Sequence, residues 1–268
     1  MLIDINAIKD LEDVACRACD VAREAILPLF RSDELLDENK LQEGYDPVTQ
    51  ADRNAEAAMR RVLENLRPMD TILGEEFETK EGTSGLTWVL DPIDGTRGFV
   101  SGTPTWGVLV ALGDVDGPFL GVIDQPYIGE RFIGHAHSAR VVGPHGMSRL
   151  ATRAPRDLSE ATIFTTFPEV GDELEGRAFH AVASKCRLTR YGMDCYAYAL
   201  LAAGQIDLVI EAGLQSYDIQ APIAVVEASG GVVTDWQGNP AHNGGRAIAA
   251  ANAEIHAQAL EILQASIC

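Results

Sequence analysis

The segment Trp88-Val-Leu-Asp-Pro-Ile-Asp-Gly-Thr-Arg-Gly-Phe-Val-Ser-Gly102 constrains the fold of this chain more than any other. An apolar run stops at Asp91-Pro92, and two carboxylates, a glycine and a hydroxyl follow within six residues. Pro92 lacks a backbone donor and Gly95 permits a tight turn, so we predict a buried strand that ends in a site and a helix that opens near Thr96. Free N–H groups at that helix start would face an anion, and the aspartates beside them could hold cations.

The residues before this segment predict helices that cover a sheet. Apolar residues recur at three- and four-residue steps from Asp4 to about Phe30, as in a long amphipathic helix. A second helix is predicted through about Leu66, with Thr49 or Asp52 as its cap. Strands are predicted at 71–76, 105–112, 119–123 and 131–135. Consecutive strands after two helices indicate an antiparallel sheet covered by those helices.

Past residue 144 the pattern changes to alternating strands and helices. Strands are predicted at 162–166, 206–211 and 231–234, and helices at 172–184, 194–203, 217–229 and 253–264. This alternation is typical of an α/β unit. We therefore predict two domains, 1–144 with most of the metal ligands and 145–268 with Asp218 and the residues that select the substrate.

The charge balance limits the partners of the chain. Its 268 residues include 21 basic and 40 acidic side chains, a formal net charge of -19, which repels nucleic acid and anionic membranes. We therefore expect neither as a partner. No run approaches the ~18 apolar residues of a membrane span, and no basic region followed by an apolar one opens the chain. With five cysteines read as reduced thiols, these features predict a cytoplasmic protein.

Carboxylates occur at three predicted strand or loop ends: Glu75-Glu76, Asp91 with Asp94, and Asp218. Each has an ordinary alternative, because exposed Glu pairs are common and Asp218 could cap a helix. Together they describe an oxygen-ligand site for Mg²⁺, which takes carboxylates and substrate phosphate, whereas zinc prefers Cys and His. Such a site suits hydrolysis of a phosphate ester by metal-activated water. Thr96 could hold that water, and Asp52 is the predicted base.

The combination of Gly74-Glu75-Glu76, Asp91-Pro-Ile-Asp-Gly-Thr96 and Tyr217-Asp218 resembles the inositol monophosphatase superfamily, and the likeness covers nearly the whole chain. The resemblance implies a layered αβαβα sandwich, of α+β or α/β class. It also implies lithium-sensitive phosphomonoesterase activity that depends on two or three Mg²⁺ ions, which Mn²⁺ can replace. The expected substrate is a small phosphate ester and the expected assembly is a homodimer.

The resemblance also assigns roles to individual residues. The metal ligands that it implies are Glu75, Asp91, the Ile93 carbonyl, Asp94 and Asp218. Its catalytic set is Asp52, Thr96 and Glu75, with Asp52 and Thr96 positioning the water. The predicted substrate-binding residues are Asp94, Gly95, Thr96, Asp194, Glu211 and Asp218, with the Gly95 and Thr96 amides on the phosphate. The family often has Trp where this chain has Tyr217, a mild change that leaves Asp218 assigned.

Within the superfamily the chain looks most like histidinol-phosphate phosphatases. The residues that carry this likeness are 96–107, 121–126, 129–131, 191–198 and 207–212. Histidinol phosphate carries an ammonium and an imidazole, and Asp194 and Glu211 would give these groups anionic partners. The alternatives are a helix cap for Asp194 and a rim carboxylate for Glu211.

Other functions stay open at this point. An inositol-1-phosphate or broad sugar-phosphate phosphatase is the main alternative, and a nucleotide 3′-phosphatase would call for more basic residues. A regulatory binding protein is the alternative from another class, which the intact acidic set opposes. Among the remaining residues, His135, His137 and His145 are expected at the surface and Trp106 in the core, and the role of Lys40 is open.

Overall fold

The computed structural model describes residues 5–39, 47–136, 138–154 and 157–267. Its helices are α1 (Ile5–Ile26), α2 (Gln50–Leu66), α3 (Thr96–Val100), α4 (Glu173–Ala183), α5 (Cys195–Ala202), α6 (Ser216–Ala228) and α7 (Ala253–Ser266). Helix α1 ends at Ile26, four residues before its predicted end near Phe30, and α2 opens with a capping box. Thr49 is its cap and Asp52 lies at the third helical position, so the two predicted caps act together.

The strands form a short ribbon and two larger sheets. The ribbon pairs β1 (Asp37–Asn39) with β2 (Pro47–Thr49). The first sheet has the order β3 (Thr71–Gly74), β4 (Thr87–Asp94), β5 (Gly107–Asp114), β6 (Gly117–Gln125), β7 (Glu130–His135), β8 (Ser138–Gly143), β9 (Gly146–Arg149). The second sheet has the order β11 (Leu188–Tyr191), β10 (Thr162–Thr165), β12 (Leu208–Leu214), β14 (Gly245–Ala250), β13 (Val232–Thr234).

The first sheet buries both of its faces, and the period of two along β4 shows how. Trp88 and Leu90 pack in the cluster that contains α1 and α2, whereas Val89 packs in the cluster on the opposite face. A strand buried on both sides reads as a continuous apolar run, which is why this stretch was recognisable in the sequence. Strand β4 does not end at Asp91 as predicted. It continues to Asp94, with an irregular register against β5 between the two aspartates.

The elements stack in five layers. Helices α1 and α2 cover the outer face of the first sheet, α5 and α6 lie between the two sheets, and α4 and α7 cover the outer face of the second sheet. This arrangement confirms the predicted αβαβα sandwich. No helix in the described part of the chain is long and apolar enough to cross a membrane.

Helix α6 lies directly on the first sheet because two glycines face it. A Cβ on Gly121 would lie 2.4 Å from the Ala221 carbonyl oxygen, and a Cβ on Gly134 would lie 2.4 Å from the Cα of Val225. Both distances are far below van der Waals contact. The glycines therefore set the distance between β6, β7 and the middle helix layer, and with it the position of the residues at the start of α6.

A buried ion network joins α1 to the face of the first sheet that it covers, opposite the face on which α6 lies. The carboxylate of Asp124 on β6 is fully buried and accepts hydrogen bonds from Arg23 Nε at 2.5 Å and Arg131 Nε at 2.6 Å. Close by, Glu12 of α1 pairs with Arg140 and lies 3.4 Å from His135 Nε2. The prediction of a surface position for His135 is therefore wrong, since β7 carries it under α1 and it is 7% exposed.

Several other predictions have a definite outcome. Trp106 is fully buried as predicted and His145 is exposed. The strands β8, β9, β11 and β14 were not predicted, and β3 pairs parallel to β4 within a sheet whose other pairs are antiparallel. The first sheet continues to Arg149, beyond residue 144, and the division into two domains stays a prediction. His137 and Lys40 lie outside the described residues.

Candidate metal and phosphate site

One cavity of about 360 Å³ lies where β4, β12 and the starts of α3, α5 and α6 meet. Its walls include most of the predicted site residues: Glu75, Asp91, Ile93, Asp94, Gly95, Thr96, Asp194, Glu211 and Asp218. These residues come from segments far apart in the sequence. The structure therefore brings together the residues that the sequence marked separately, with Asp52 just behind the wall.

Three of the carboxylates form a tight cluster. One oxygen each of Asp91, Asp94 and Asp218 lies within 4.8 Å of the other two. Asp91 and Asp94 flank the irregular end of β4, and Asp218 lies in the first turn of α6. Such bulges redirect side chains, and here the irregularity lets two carboxylates on one strand face the same point.

Backbone amides orient each member of this cluster. Asp91 accepts a hydrogen bond from the Ile93 N–H at 3.0 Å, and Asp94 accepts one from the Cys195 N–H at 2.6 Å. Asp218 accepts one from the Gln215 N–H at 2.6 Å, so it braces the start of α6 from inside the helix and is not its cap. Every carboxylate oxygen has two lone pairs, so these bonds leave capacity for a further ligand.

The electrostatics of the cluster favour a bound cation. Burial raises the pKa of Asp91 well above its usual range, and the nearby Glu75, Asp94 and Asp218 raise it further. Burial also raises the pKa of Asp94, together with the charges of Asp194 and Asp218. Like charges this close disfavour ionisation unless a cation joins them. A set of converging carboxylate oxygens fits a hard dication such as Mg²⁺, and it fits zinc poorly.

Two other predicted metal ligands stand apart from this cluster. Glu75 lines the same cavity and acts electrostatically on Asp91, but it is not one of the three carboxylates within 4.8 Å. The Ile93 carbonyl accepts a hydrogen bond from the Thr96 hydroxyl at 3.0 Å. The structure thus places both beside the cluster, and their role as metal ligands stays a prediction.

Asp52 and Thr96 form the contact that the sequence predicted for the base and the water-positioning hydroxyl. Asp52 Oδ2 accepts bonds from the Thr49 N–H at 2.8 Å and the Thr49 hydroxyl at 2.6 Å, and its Oδ1 lies 3.4 Å from Thr96 Oγ1. Burial raises the pKa of Asp52 to about 6, against the lowering effect of its bonds to Thr49. A base with this pKa is ionised at neutral pH and close to its titration range.

Gly95 is required both by its conformation and by its neighbour. Its φ is +86°, a region that favours glycine, and a Cβ there would lie 2.7 Å from the Asp194 Cγ. A Cβ on Gly98 would lie 3.3 Å from Asp194 Oδ2. The two glycines allow α3 to pack closely against the Asp194 carboxylate, which brings residues 91–98 into contact with the second half of the chain.

Asp194 is at the cap position of α5, yet its side chain makes no capping hydrogen bond. It has an unusual backbone φ of +46° and accepts a hydrogen bond from the Thr105 hydroxyl at 3.4 Å. Burial raises the pKa of Asp194 to about 6, with a further contribution from Glu211. A strained backbone and a carboxylate turned toward the cavity favour a functional role over a cap.

Glu211 is buried, so its reading as a rim carboxylate is wrong. Its two oxygens accept hydrogen bonds at 2.6 Å from the hydroxyls of Thr166 and Tyr198. Burial raises the pKa of Glu211, which the two hydroxyls oppose. Glu211 therefore forms a fixed part of the cavity wall, at the point where the register of β12 against β14 shifts.

The sequence assigned no individual role to several residues in or behind this wall. Tyr198 and Thr166 hold Glu211, Thr105 contacts Asp194, and the guanidinium of Arg97 stacks 4.8 Å from the Phe167 ring centroid at the cavity wall. Tyr198 lies in a helix that is apolar on all sides, so no periodic pattern marks it. An exposed aromatic beside a cavity, as at Phe167, becomes informative only once the loop is placed.

The chain is similar to several known phosphatases. A model of the inositol monophosphatase family matches residues 8–267. The bifunctional phosphatase IMPL2 of Arabidopsis thaliana is 39% identical over 91% of this chain and 72% of its own length. The histidinol-phosphatase of Streptomyces coelicolor is 33% identical over 91% and 93%. A solved inositol monophosphatase from Zymomonas mobilis superposes with a TM-score of 0.84 at 39% identity, covering 96% of this chain and 99% of that one.

Proposed function

The chain belongs to the inositol monophosphatase family, a family of phosphoric monoester hydrolases, and from this premise we propose that it hydrolyses L-histidinol phosphate to L-histidinol and phosphate. The observation that carries the proposal is a second pair of carboxylates, Asp194 and Glu211, in the wall of the cavity that holds the Asp91, Asp94 and Asp218 cluster. Such a pair gives a cationic leaving group a partner that an uncharged polyol does not need.

The leaving group explains why these carboxylates are useful. Histidinol carries a primary ammonium and an imidazole, and charge-assisted hydrogen bonds to a carboxylate are roughly twice as strong as neutral ones. Asp194 has its pKa raised to about 6 by burial and by Glu211, so a cation between the two would relieve their repulsion. Binding of the ammonium is thus favoured because it relieves the repulsion between these two carboxylates.

The metal would be held by Asp91, Asp94 and Asp218, with Glu75 and the Ile93 carbonyl as further ligands. When bound, Mg²⁺ supplies an activated water and neutralises charge on the phosphate. We assign the remaining work to residues of the chain. The Thr96 hydroxyl orients the attacking water, and Asp52 takes the proton that this hydroxyl passes on. The Gly95 and Thr96 amides hold the phosphate oxygens at the start of α3.

An assay of substrate preference tests this proposal. The kcat/KM of the Mg²⁺-loaded enzyme is measured on L-histidinol phosphate and on myo-inositol 1-phosphate, with L-histidinol and myo-inositol as product inhibitors. We expect faster turnover of histidinol phosphate and inhibition by histidinol at lower concentration. Faster turnover of the inositol ester would overturn the substrate while leaving the phosphatase chemistry in place.

The inositol ester is the second candidate because of the 39% identity to the Zymomonas mobilis inositol monophosphatase. A polyol has several hydroxyls that donate hydrogen bonds, and Glu211 could accept from them as it does from Tyr198. Asp194 distinguishes the two esters better, since Arg97 only partly offsets the burial and the Glu211 charge that raise its pKa, and an added ammonium would favour its ionised form. The predicted homodimer and the cytoplasmic location stay predictions that gel filtration and fractionation would test.

A further inference from the structure

Glu56 is a buried carboxylate on α2 that the proposed reaction does not use. It is 0% exposed. Its Oε1 accepts a hydrogen bond from Arg60 Nε at 2.7 Å, and its Oε2 accepts one from the backbone N–H of Glu76 at 2.7 Å. The second bond ties α2 to the residue that directly follows Glu75, a predicted metal ligand.

The turn at this point is held from both sides. Arg60 Nη2 donates to the Phe77 carbonyl at 3.0 Å, and its guanidinium lies 5.8 Å from the Phe77 ring centroid. On the other side, a Cβ on Gly74 would lie 2.0 Å from Glu56 Oε1, so the carboxylate occupies the space that any other residue would fill. The backbone on both sides of Glu75 is therefore fixed by one ion pair on α2.

The same helix carries the predicted base. Asp52 lies one helical turn before Glu56, and residues four apart share a face of a helix. Asp52 contacts Thr96, and Glu56 holds the turn that contains Glu75. One rigid element thus sets the relative position of two functional side chains that the sequence separates.

We propose that Glu56, paired with Arg60, is a positioning residue that orients Glu75 for metal binding. This inference rests on the metal site of the proposed function, but not on which phosphate ester the enzyme hydrolyses. Groups that orient metal ligands in this way typically change metal affinity about 10–100-fold when they are removed. Glu56 touches no reacting atom in this account, and it acts only through the backbone of Glu76.

A purely structural role for Glu56 is the competing explanation, and Asp70 provides the matched control. Asp70 is also a buried carboxylate, 1% exposed, and accepts from Arg67 Nε at 2.7 Å and from Trp88 Nε1 at 2.9 Å. Like Glu56, it pairs with an arginine of the α2 region. Asp70 is not part of the cavity wall, so we expect Asp70→Asn to lower stability without moving the turn at Glu75.

The experiment measures Mn²⁺ binding to the metal-free protein by calorimetry, with Tm recorded alongside. Glu56→Gln keeps the shape but places an amide N–H₂ against either Arg60 or the Glu76 N–H, so one of the two bonds is lost. Gly74→Ala displaces the carboxylate without removing its charge. We expect the Kd for Mn²⁺ to rise about tenfold or more in both. Asp70→Asn should lower Tm and leave the Kd at the wild-type value. With substrate, the Mn²⁺ concentration for half-maximal activity should rise, while kcat at saturating Mn²⁺ changes much less.

An unchanged Kd for Mn²⁺ in the folded variants would overturn the proposal, and so would an equal rise in Asp70→Asn. If Glu56→Gln does not fold, Gly74→Ala decides alone, because the three heavy atoms nearest to its added Cβ all belong to Glu56. A wild-type enzyme that prefers the inositol ester while the variants still lose Mn²⁺ affinity would refute the proposed substrate and leave the role of Glu56 intact.

Discussion

Carboxylates are buried in two regions of this molecule, and the charges that surround them are of opposite sign. On the outer face of the first sheet, Asp124 lies between Arg23 and Arg131, so its charge is compensated within the protein. In the cavity on the other side, the charges around Asp91 come from Glu75, Asp94, Asp218 and Asp52, all acidic. The first arrangement stabilises the fold by internal pairing. The second keeps unfavourable charge at one point, where an external cation can relieve it.

The largest effect that would test this contrast is expected from Asp94→Asn. The amide keeps the bond from the Cys195 N–H but removes a charge from the cluster, so kcat/KM should fall by about 10³-fold or more. The metal-free variant should also have a higher Tm than the metal-free wild type, because repulsion with Asp194 and Asp218 is gone. Steady-state kinetics at saturating Mg²⁺ and thermal melts without metal check both effects. A variant that retains a tenth of the activity would contradict the contrast.

The second test is Asp124→Asn, for which the opposite pattern is expected. Asp124→Asn removes the charge between Arg23 and Arg131 and leaves Arg131 with the more exposed Asp20 as its partner, which should lower the free energy of unfolding by about 3–5 kcal/mol. Activity of the folded fraction at 25 °C should stay close to wild type. Urea denaturation followed by fluorescence, together with the same kinetic assay, measures this. Loss of activity without loss of stability would show that the two regions are not independent.

A smaller effect, on the turnover of only one of the two substrates, is expected from Asp194→Asn. The amide oxygen can still accept from Thr105, but the charge is lost, so kcat/KM on L-histidinol phosphate should fall about 10- to 100-fold. Turnover of myo-inositol 1-phosphate should change little. Asp172→Asn, at the cap of α4, is the matched control and should leave both substrates unaffected. Equal losses on both esters would remove Asp194 from substrate selection.

The smallest expected effect is the dependence of kcat/KM on pH. Because the pKa of Asp52 is raised to about 6, its ionised fraction falls as the pH drops below that value, and a base must be ionised to accept a proton. The kcat/KM should therefore decline by about tenfold per pH unit on the acid side of about pH 6. A pH–rate profile of wild type and Asp52→Asn tests this, since the variant should be slow and lack that acid limb. Persistence of the limb in the variant would assign it to another group.

The contrast between the regions also explains what the sequence could predict. The layers, the long helices and the site segment 91–96 follow from patterns that are local in the chain, such as the period of α1 and the apolar run before Asp91. The register shifts after Asp91 and after Glu211 are not local, since each depends on the partner strand. The same is true of Tyr198, Thr166 and Glu56, whose roles appear only when distant segments are in contact. His135 was misplaced because its partner Glu12 lies on α1, far away in the sequence.

The two glycines that face α6 determine which mutations, besides those in the site, would inactivate the protein. Any side chain at Gly121 or Gly134 would push the helix away from β6 and β7, and Asp218 would move with its first turn. Such a substitution contacts neither the substrate nor the metal site, yet we expect it to abolish activity. A screen for inactive alleles should therefore recover substitutions at these two buried glycines as readily as substitutions at the acidic residues of the site.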